Sequence, residues 1–243
     1  MTEKNQKTTL ENQRIALVTG ASRGIGYAVA KRLAQEGVHI IATGRTVGAL
    51  EQLDDEIFEL TGSNITISPL DICDGNAVDM MAASIHDRFG KLDILVGCAG
   101  ILGKLAPTAH YSPKQFETIV ATNMTANWRL LKTFDAMLRQ SENGRAIFIT
   151  SSVSCDGRAF WSAYGASKAG LESLVKTYAQ EVENISNIKA NLINPGKVAT
   201  ALRTEAYSGE DATTLPTADS ITDIFVKLIS PNLKETGHIF YAQ

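Results

Sequence analysis

Apolar residues along this chain follow two alternating patterns: short continuous runs, and longer stretches in which they recur every three or four positions. A short apolar run bounded by turn residues is how a strand buried on both faces reads, whereas the wider spacing marks one face of a helix. Ile15-Ala16-Leu17-Val18 is the first such run, and it ends at Thr19-Gly20. From 24 to 35, Ile25, Ala28, Val29 and Leu33 return at helical spacing, and Gly37 stops that helix before a second run at 38–42. The alternation predicts further helices at 47–60, 77–89, 113–139, 161–183 and 218–229, and strands at 65–70, 92–96, 145–151, 189–193 and 238–241. Seven strands alternating with helices predict an α/β fold of the Rossmann type, a single domain built on one doubly wound parallel sheet with helices on both faces. That domain is expected over 13–243, after a polar lead-in at 1–12. Residues 199–217 have loop composition and follow a late strand, where open α/β sheets place their ligands.

Composition narrows the partners. With 44% hydrophobic and 20% charged residues in 243, disorder is excluded and a packed core is expected. The 23 basic and 26 acidic side chains leave a net charge of −3 and form no basic stripe, which argues against nucleic acid or an anionic membrane and for a small-molecule ligand. Cys73, Cys98 and Cys155 are odd in number and widely spaced, with neither a Cys-x-x-Cys pair nor a disulfide framework, so a reducing, cytoplasmic setting fits. The start, Met1 to Lys7, lacks the apolar region of a signal peptide, and no run approaches the ~18 apolar residues of a membrane span. The histidines at 39, 86, 110 and 238 have no metal-ligand spacing, so no metal is expected.

Between the first strand and the first helix stands Thr19-Gly20-Ala21-Ser22-Arg23-Gly24-Ile25-Gly26. Glycines there allow a tight turn and close approach of a bulky group, and a pyrophosphate on the helix N-terminus is the natural occupant. The spacing is Gly-x-x-x-Gly-x-Gly, so the dinucleotide reading rests on its strand-turn-helix-strand context, which is present. An acidic residue about 20 positions past the turn would bind a ribose 2′-hydroxyl and repel a 2′-phosphate. The second strand instead ends Ala42-Thr43-Gly44-Arg45-Thr46, and Arg23 projects from the turn. Two guanidiniums can clamp a phosphate, so NADP(H) is expected in preference to NAD(H).

Tyr164-Gly165-Ala166-Ser167-Lys168 lies near the start of the helix predicted at 161–183, and a separation of four places phenol and ammonium on one face. A phenol with pKa near ~10 is a poor acid at neutral pH, and a nearby cation is expected to draw it down. The glycine turn, Tyr164-x-x-x-Lys168 and the upstream Ser151-Ser152 together resemble the short-chain dehydrogenase/reductase family, over about residues 14–241. Asp71 ending the third strand, Ala99-Gly100 after the fourth, Asn123 in the long helix and Pro195-Gly196 after the sixth match in the same order.

The resemblance implies a carbonyl reductase or alcohol dehydrogenase with the catalytic set Asn123, Ser152, Tyr164 and Lys168. Tyr164 would be the general acid, Lys168 would bind the nicotinamide ribose and lower the tyrosine pKa, and Asn123 would hold a relay water. The family's serine lies 12 to 14 residues before the tyrosine; Ser152 is preferred for its place before Val153, with Ser151 as the alternative. Its hydroxyl would bind the substrate oxygen. The expected cofactor site has Gly20, Ser22, Gly24, Ile25 and Gly26 at the pyrophosphate and Arg23 and Arg45 at the 2′-phosphate, and the resemblance adds Asp71 and Ile72 at the adenine. Ala99 and Gly100 would meet the ribose, Tyr164 and Lys168 the nicotinamide end, and Pro195, Gly196, Val198 and Thr200 the carboxamide and phosphates.

The family's Asn-Asn-Ala-Gly appears here as Gly97-Cys98-Ala99-Gly100, with Cys98 read as a small buried thiol. The glycine turn, Ser22-Arg23 included, resembles β-ketoacyl-carrier-protein reductases, while the ending Tyr241-Ala242-Gln243 leaves almost no tail after the last strand. A homodimer or homotetramer through the helices at 113–139 and 161–183 is a family expectation. Phe160 and Trp161 would line a substrate pocket, or else serve core or interface. Functions of other classes are a nucleotide-sensing protein without turnover and a structural partner.

Overall fold

In the computed structural model, residues 13–243 are described. The polar lead-in expected at 1–12 lies outside them. Seven parallel strands, β1 (Ile15–Thr19), β2 (His39–Gly44), β3 (Thr66–Pro69), β4 (Ile94–Gly97), β5 (Arg145–Ile149), β6 (Lys189–Asn194) and β7 (Ile239–Tyr241), lie in the order β3-β2-β1-β4-β5-β6-β7. Strand order reverses between β1 and β4, which opens a crevice at the carboxyl ends of those two strands.

Alternate residues of β1 serve opposite faces of the sheet, as a period of two requires. Ile15 and Leu17 join a core shared with α3 (Gly75–Phe89), α5 (Ala126–Arg139) and α7 (Ser162–Glu183), as the chain numbers its helices. Ala16 and Val18 face α1 (Gly24–Gln35), α2 (Val47–Thr61) and α9 (Asp223–Leu228). Local signals fix several ends. The Asp74 carboxylate caps α3 by accepting from the Asn76 and Ala77 amides, and Ser112 with Gln115 forms a capping box ahead of α4 (Pro113–Val120).

The helix predicted at 113–139 is interrupted. α4 passes through a π turn, Ala121–Thr125, before α5 resumes. The chain after β5 turns at Ser152 into a one-turn helix, α6 (Val153–Asp156), and 199–217 contains α8 (Ala201–Ala206), capped by the Thr200 hydroxyl. At 218–229 a 3₁₀ turn, Asp219–Ile221, precedes the shorter α9. Among the described residues no helix is long and apolar enough to cross a membrane.

Candidate active site

The crevice is a cleft of about 450 Å³, and segments following β1 through β6 line it. Gly20 has φ of +66°, and a Cβ on it would stand 2.8 Å from the Ala99 backbone, so the β1–α1 turn can touch the loop after β4 only as glycine. Gly26 meets the same constraint, since its Cβ would lie 2.8 Å from the carbonyl carbon of Gly20. All the residues expected at the cofactor line this one cleft: the turn from Gly20 to Gly26 by way of Ser22, Arg23, Gly24 and Ile25; Arg45 past β2; Asp71 and Ile72 past β3; and Ala99 and Gly100 past β4. Tyr164 and Lys168 reach it from α7, and Pro195, Gly196, Val198 and Thr200 follow β6.

At one end the donor set suits a phosphorylated ribose. Gly44 stands at the end of β2, and a Cβ there would lie 3.3 Å from the Ser22 hydroxyl, so no side chain separates that hydroxyl from the cleft. Arg23 and Arg45 are both exposed beside it and make no ion pair among the described residues. Free guanidiniums over a hydroxyl and helix N-terminal amides are anion-binding chemistry.

At the other end Tyr164 and Lys168 are almost fully buried, 6% and 4% exposed, with the ammonium 5.7 Å from the phenol ring centroid. Lys168 Nζ donates to the Ile149 carbonyl at 2.8 Å. Burial pushes the Tyr164 phenol up to about 12, only partly opposed by a hydrogen bond with Ser151. The expectation that the lysine draws the tyrosine down is therefore corrected, because burial, and not the lysine, sets the direction of the shift. Burial also pulls Lys168 down to about 8, against the favourable fields of Cys98 and Glu172.

The two candidate serines are placed differently. Ser151 lines the cleft beside Tyr164, whereas Ser152 is exposed, starts α6, and accepts the Cys155 amide on its carbonyl at 3.4 Å. The physical reason is the bend at 152, which carries that residue off the strand direction after one hydroxyl has been placed in the cleft. Glu172 on α7 accepts from the Thr150 hydroxyl and, at 2.6 Å, from that of Ser154, tying this bend to the helix that carries Tyr164.

Asn123 sits in the π turn and is fully buried. Its side chain does not line the cleft. Oδ1 accepts from the Ile101 amide at 2.9 Å, and Nδ2 donates to the Ile101 carbonyl at 2.9 Å and to Ser167 Oγ at 3.1 Å, so it braces the backbone just past Gly100. π turns often mark functional sites in helices.

The space beside Gly97 is filled from two other elements. A Cβ on Gly97 would overlap the Phe148 ring and lie 2.7 Å from Asn127 Oδ1, so Phe148 on β5, with Asn127 on α5 beside it, occupies that space. Its Nδ2 donates to the Asn123 carbonyl at 2.8 Å, while its Oδ1 is buried without a protein partner. Sequence reasoning passed over Asn127, although its place four residues after Asn123 puts both on one helix face. Thr122 and Ile101 were passed over as well; both line the cleft, and adjacency to Asn123 and Gly100 was the available signal. Cys98 is partly buried on the cleft wall and packs against the core under α1, and desolvation pushes its thiol up to about 12.

Trp161 lines the cleft; Phe160 does not. Phe160 is exposed at φ of 73°, an uncommon conformation for a bulky residue, and its carbonyl accepts from the Ala106 amide at 3.2 Å and the Tyr111 hydroxyl at 3.3 Å. These bonds pin the segment after β4 to the start of α7.

Fold and cleft define a dinucleotide-binding protein with a buried tyrosine-lysine pair on the cleft wall. Comparison with known proteins agrees. The short chain dehydrogenase family matches residues 14–211. The chain is 34% identical over 240 residues to the uncharacterized oxidoreductase YciK of Escherichia coli K12, spanning 98% of this chain and 94% of that protein. It is 33% identical over 197 residues, 81% of this chain and 78% of the other, to the E. coli 3-oxoacyl-[acyl-carrier-protein] reductase FabG. A crystal structure of a short chain dehydrogenase from Shigella flexneri 2a complexed with NADP superposes with TM-score 0.91 and 34% identity, covering 97% of this chain and 99% of that one. The chain belongs to the short-chain dehydrogenase family, whose members are oxidoreductases.

Proposed function

We propose that this protein transfers hydride between NADP(H) and a carbonyl or secondary alcohol, with NADP(H) preferred over NAD(H). The observation that carries this reading is the single cleft itself, with Ser151, Tyr164 and Lys168 at one end and the exposed guanidiniums of Arg23 and Arg45 at the other. The NADP complex of the Shigella relative supports the cofactor. The Gly20–Gly26 turn would hold the pyrophosphate, Arg23 and Arg45 the 2′-phosphate, and Asp71 and Ile72 the adenine. The cofactor, when bound, supplies the hydride.

The chain's own groups manage the proton. A tyrosine held near 12 is a phenol at neutral pH, the form required to donate to a carbonyl oxygen as it gains charge. Ser151 lines the cleft with Tyr164 while Ser152 does not, which supports giving Ser151 the serine role of donating to the same oxygen. Lys168 holds the ammonium beside the phenol, and Asn123 keeps the Ile101 backbone in place.

Fluorescence titration with NADPH and NADH tests this without a known substrate. NADPH should bind at least about tenfold more tightly, and Arg45→Glu should erase that margin, since a charge-assisted contact is worth about 1.5–3 kcal/mol. Equal affinities in the unaltered chain would refute the preference, and no binding of either would refute the enzyme reading.

A further inference from the structure

Beyond the nucleotide end the cleft closes on aromatic and apolar side chains. Trp161 packs edge-on against Tyr164 with ring centroids 5.8 Å apart, and Tyr207, just past α8, lies 5.8 Å from Trp161 on another side. Leu202 lines the same end. The Tyr207 hydroxyl is already engaged, accepting from Arg158 Nη1 at 2.8 Å.

Two guanidiniums stand at this end, and both are matched to carboxylates. Arg203 lines the cleft with its Cζ 3.8 Å from the Tyr207 ring centroid, but it donates through Nε and Nη2 to both oxygens of Glu210, at 2.5 and 2.7 Å. Arg158 pairs with Asp156 at 2.9 Å. Lys197 also faces Glu210, and Lys168 is committed to the Ile149 carbonyl beside the tyrosine. The acidic residue lining the cleft, Asp71, is at the far end, past β3.

A ligand entering here exchanges water for rings and methyl groups. A neutral carbonyl compound gives up little, whereas a carboxylate surrenders strong hydration and meets cations that already have partners. Recruiting Arg203 would mean breaking a bidentate pair. Resting on the carbonyl-reduction reading, we propose that the site takes neutral carbonyl compounds with apolar or aromatic flanks and rejects their carboxylate counterparts, and that Glu210 sets this preference by occupying Arg203. Glu210 acts through the arginine and touches no reacting atom.

Matched pairs test the proposal: ethyl acetoacetate against acetoacetate, and methyl benzoylformate against benzoylformate, with NADPH oxidation followed on the full chain. The ester should exceed its acid at least about a hundredfold in kcat/KM. Glu210→Gln should raise kcat/KM for the acids about tenfold or more, mainly through KM, with NADPH affinity unchanged as evidence that the variant is folded. Acids turning over as well as esters would overturn the proposal. So would an acid-to-ester ratio unmoved by Glu210→Gln, or a chain that binds NADPH and reduces neither member of either pair. Failure to bind NADPH would instead remove the oxidoreductase reading beneath it.

Discussion

Alkaline loss of carbonyl reduction should follow Lys168 and not Tyr164. Burial sets the lysine near 8, against an ordinary 10.5, and the tyrosine near 12. An ammonium of that pKa is about nine-tenths charged at about pH 7 and about one-tenth charged at about pH 9, while the phenol keeps its proton throughout. With NADPH saturating and ethyl acetoacetate as probe, kcat/KM should therefore drop about tenfold across that interval, with a midpoint near 8. Denaturation predicts something different. A cation whose pKa is lower in the native state leaves the unfolded chain holding more protons between about 8 and 10.5, so Lys168's contribution to stability rises with pH there. Activity should fall where this group makes the fold more stable, and melting temperatures taken at each pH will separate the two. Glu172 favours the lysine's charge and has no such effect on Tyr164, so Glu172→Gln should move the limb to lower pH. A midpoint above about 9.5, or a limb that Glu172→Gln leaves in place, would refute the assignment to Lys168.

Ser151→Ala should lower kcat by about 10²–10³-fold, the usual cost of an oxyanion-type donor, while Ser152→Ala should stay within about twofold; steady-state kinetics on both decides, and the opposite pattern would return the role to Ser152. Asn127→Ala should cost about 1–3 kcal/mol in urea unfolding by removing a buried hydrogen bond. It should lower kcat more than it weakens NADPH, because it supports Asn123 and not the phosphate end; equal losses in both would count against that role. Burial, with a smaller effect from Arg88, holds His39 near 4 against an ordinary 6.5, so the unfolded chain binds more protons between those values and stability falls as pH falls through them, by about 3 kcal/mol. Urea unfolding at about pH 4.5 and about pH 7 should show a shallower difference in His39→Gln, and an unchanged difference would remove His39 as its source.

Repetition made the sheet legible. β1 and β4 are short apolar runs because both faces of the sheet are covered, and α1 shows its buried stripe at every turn. Most of the expected cofactor residues were legible for a related reason, since all of them except Tyr164 and Lys168 on α7 closely follow a strand. The π turn gave no such signal. Shifting hydrogen bonds by one residue changes neither composition nor the apolar spacing on either side, so one long helix was the natural reading.

What escaped the sequence depends on distances between separate elements. Ser151 and Ser152 are chemically identical neighbours, and only the bend into α6 decides which hydroxyl faces Tyr164. The four-residue spacing of Tyr164 and Lys168 puts their charges within reach, but desolvation, which spacing does not encode, sets the sign of the tyrosine's shift. Gly97 reads as a missing amide until β5 and α5 are seen delivering Phe148 and Asn127 to the same space. The segment 199–217 reads only as a loop, and nothing in it shows that Glu210 holds both donors of Arg203. In each case the residue type was visible and its electrostatic state was not, because that state is set by partners that only the packed chain brings within hydrogen-bonding distance.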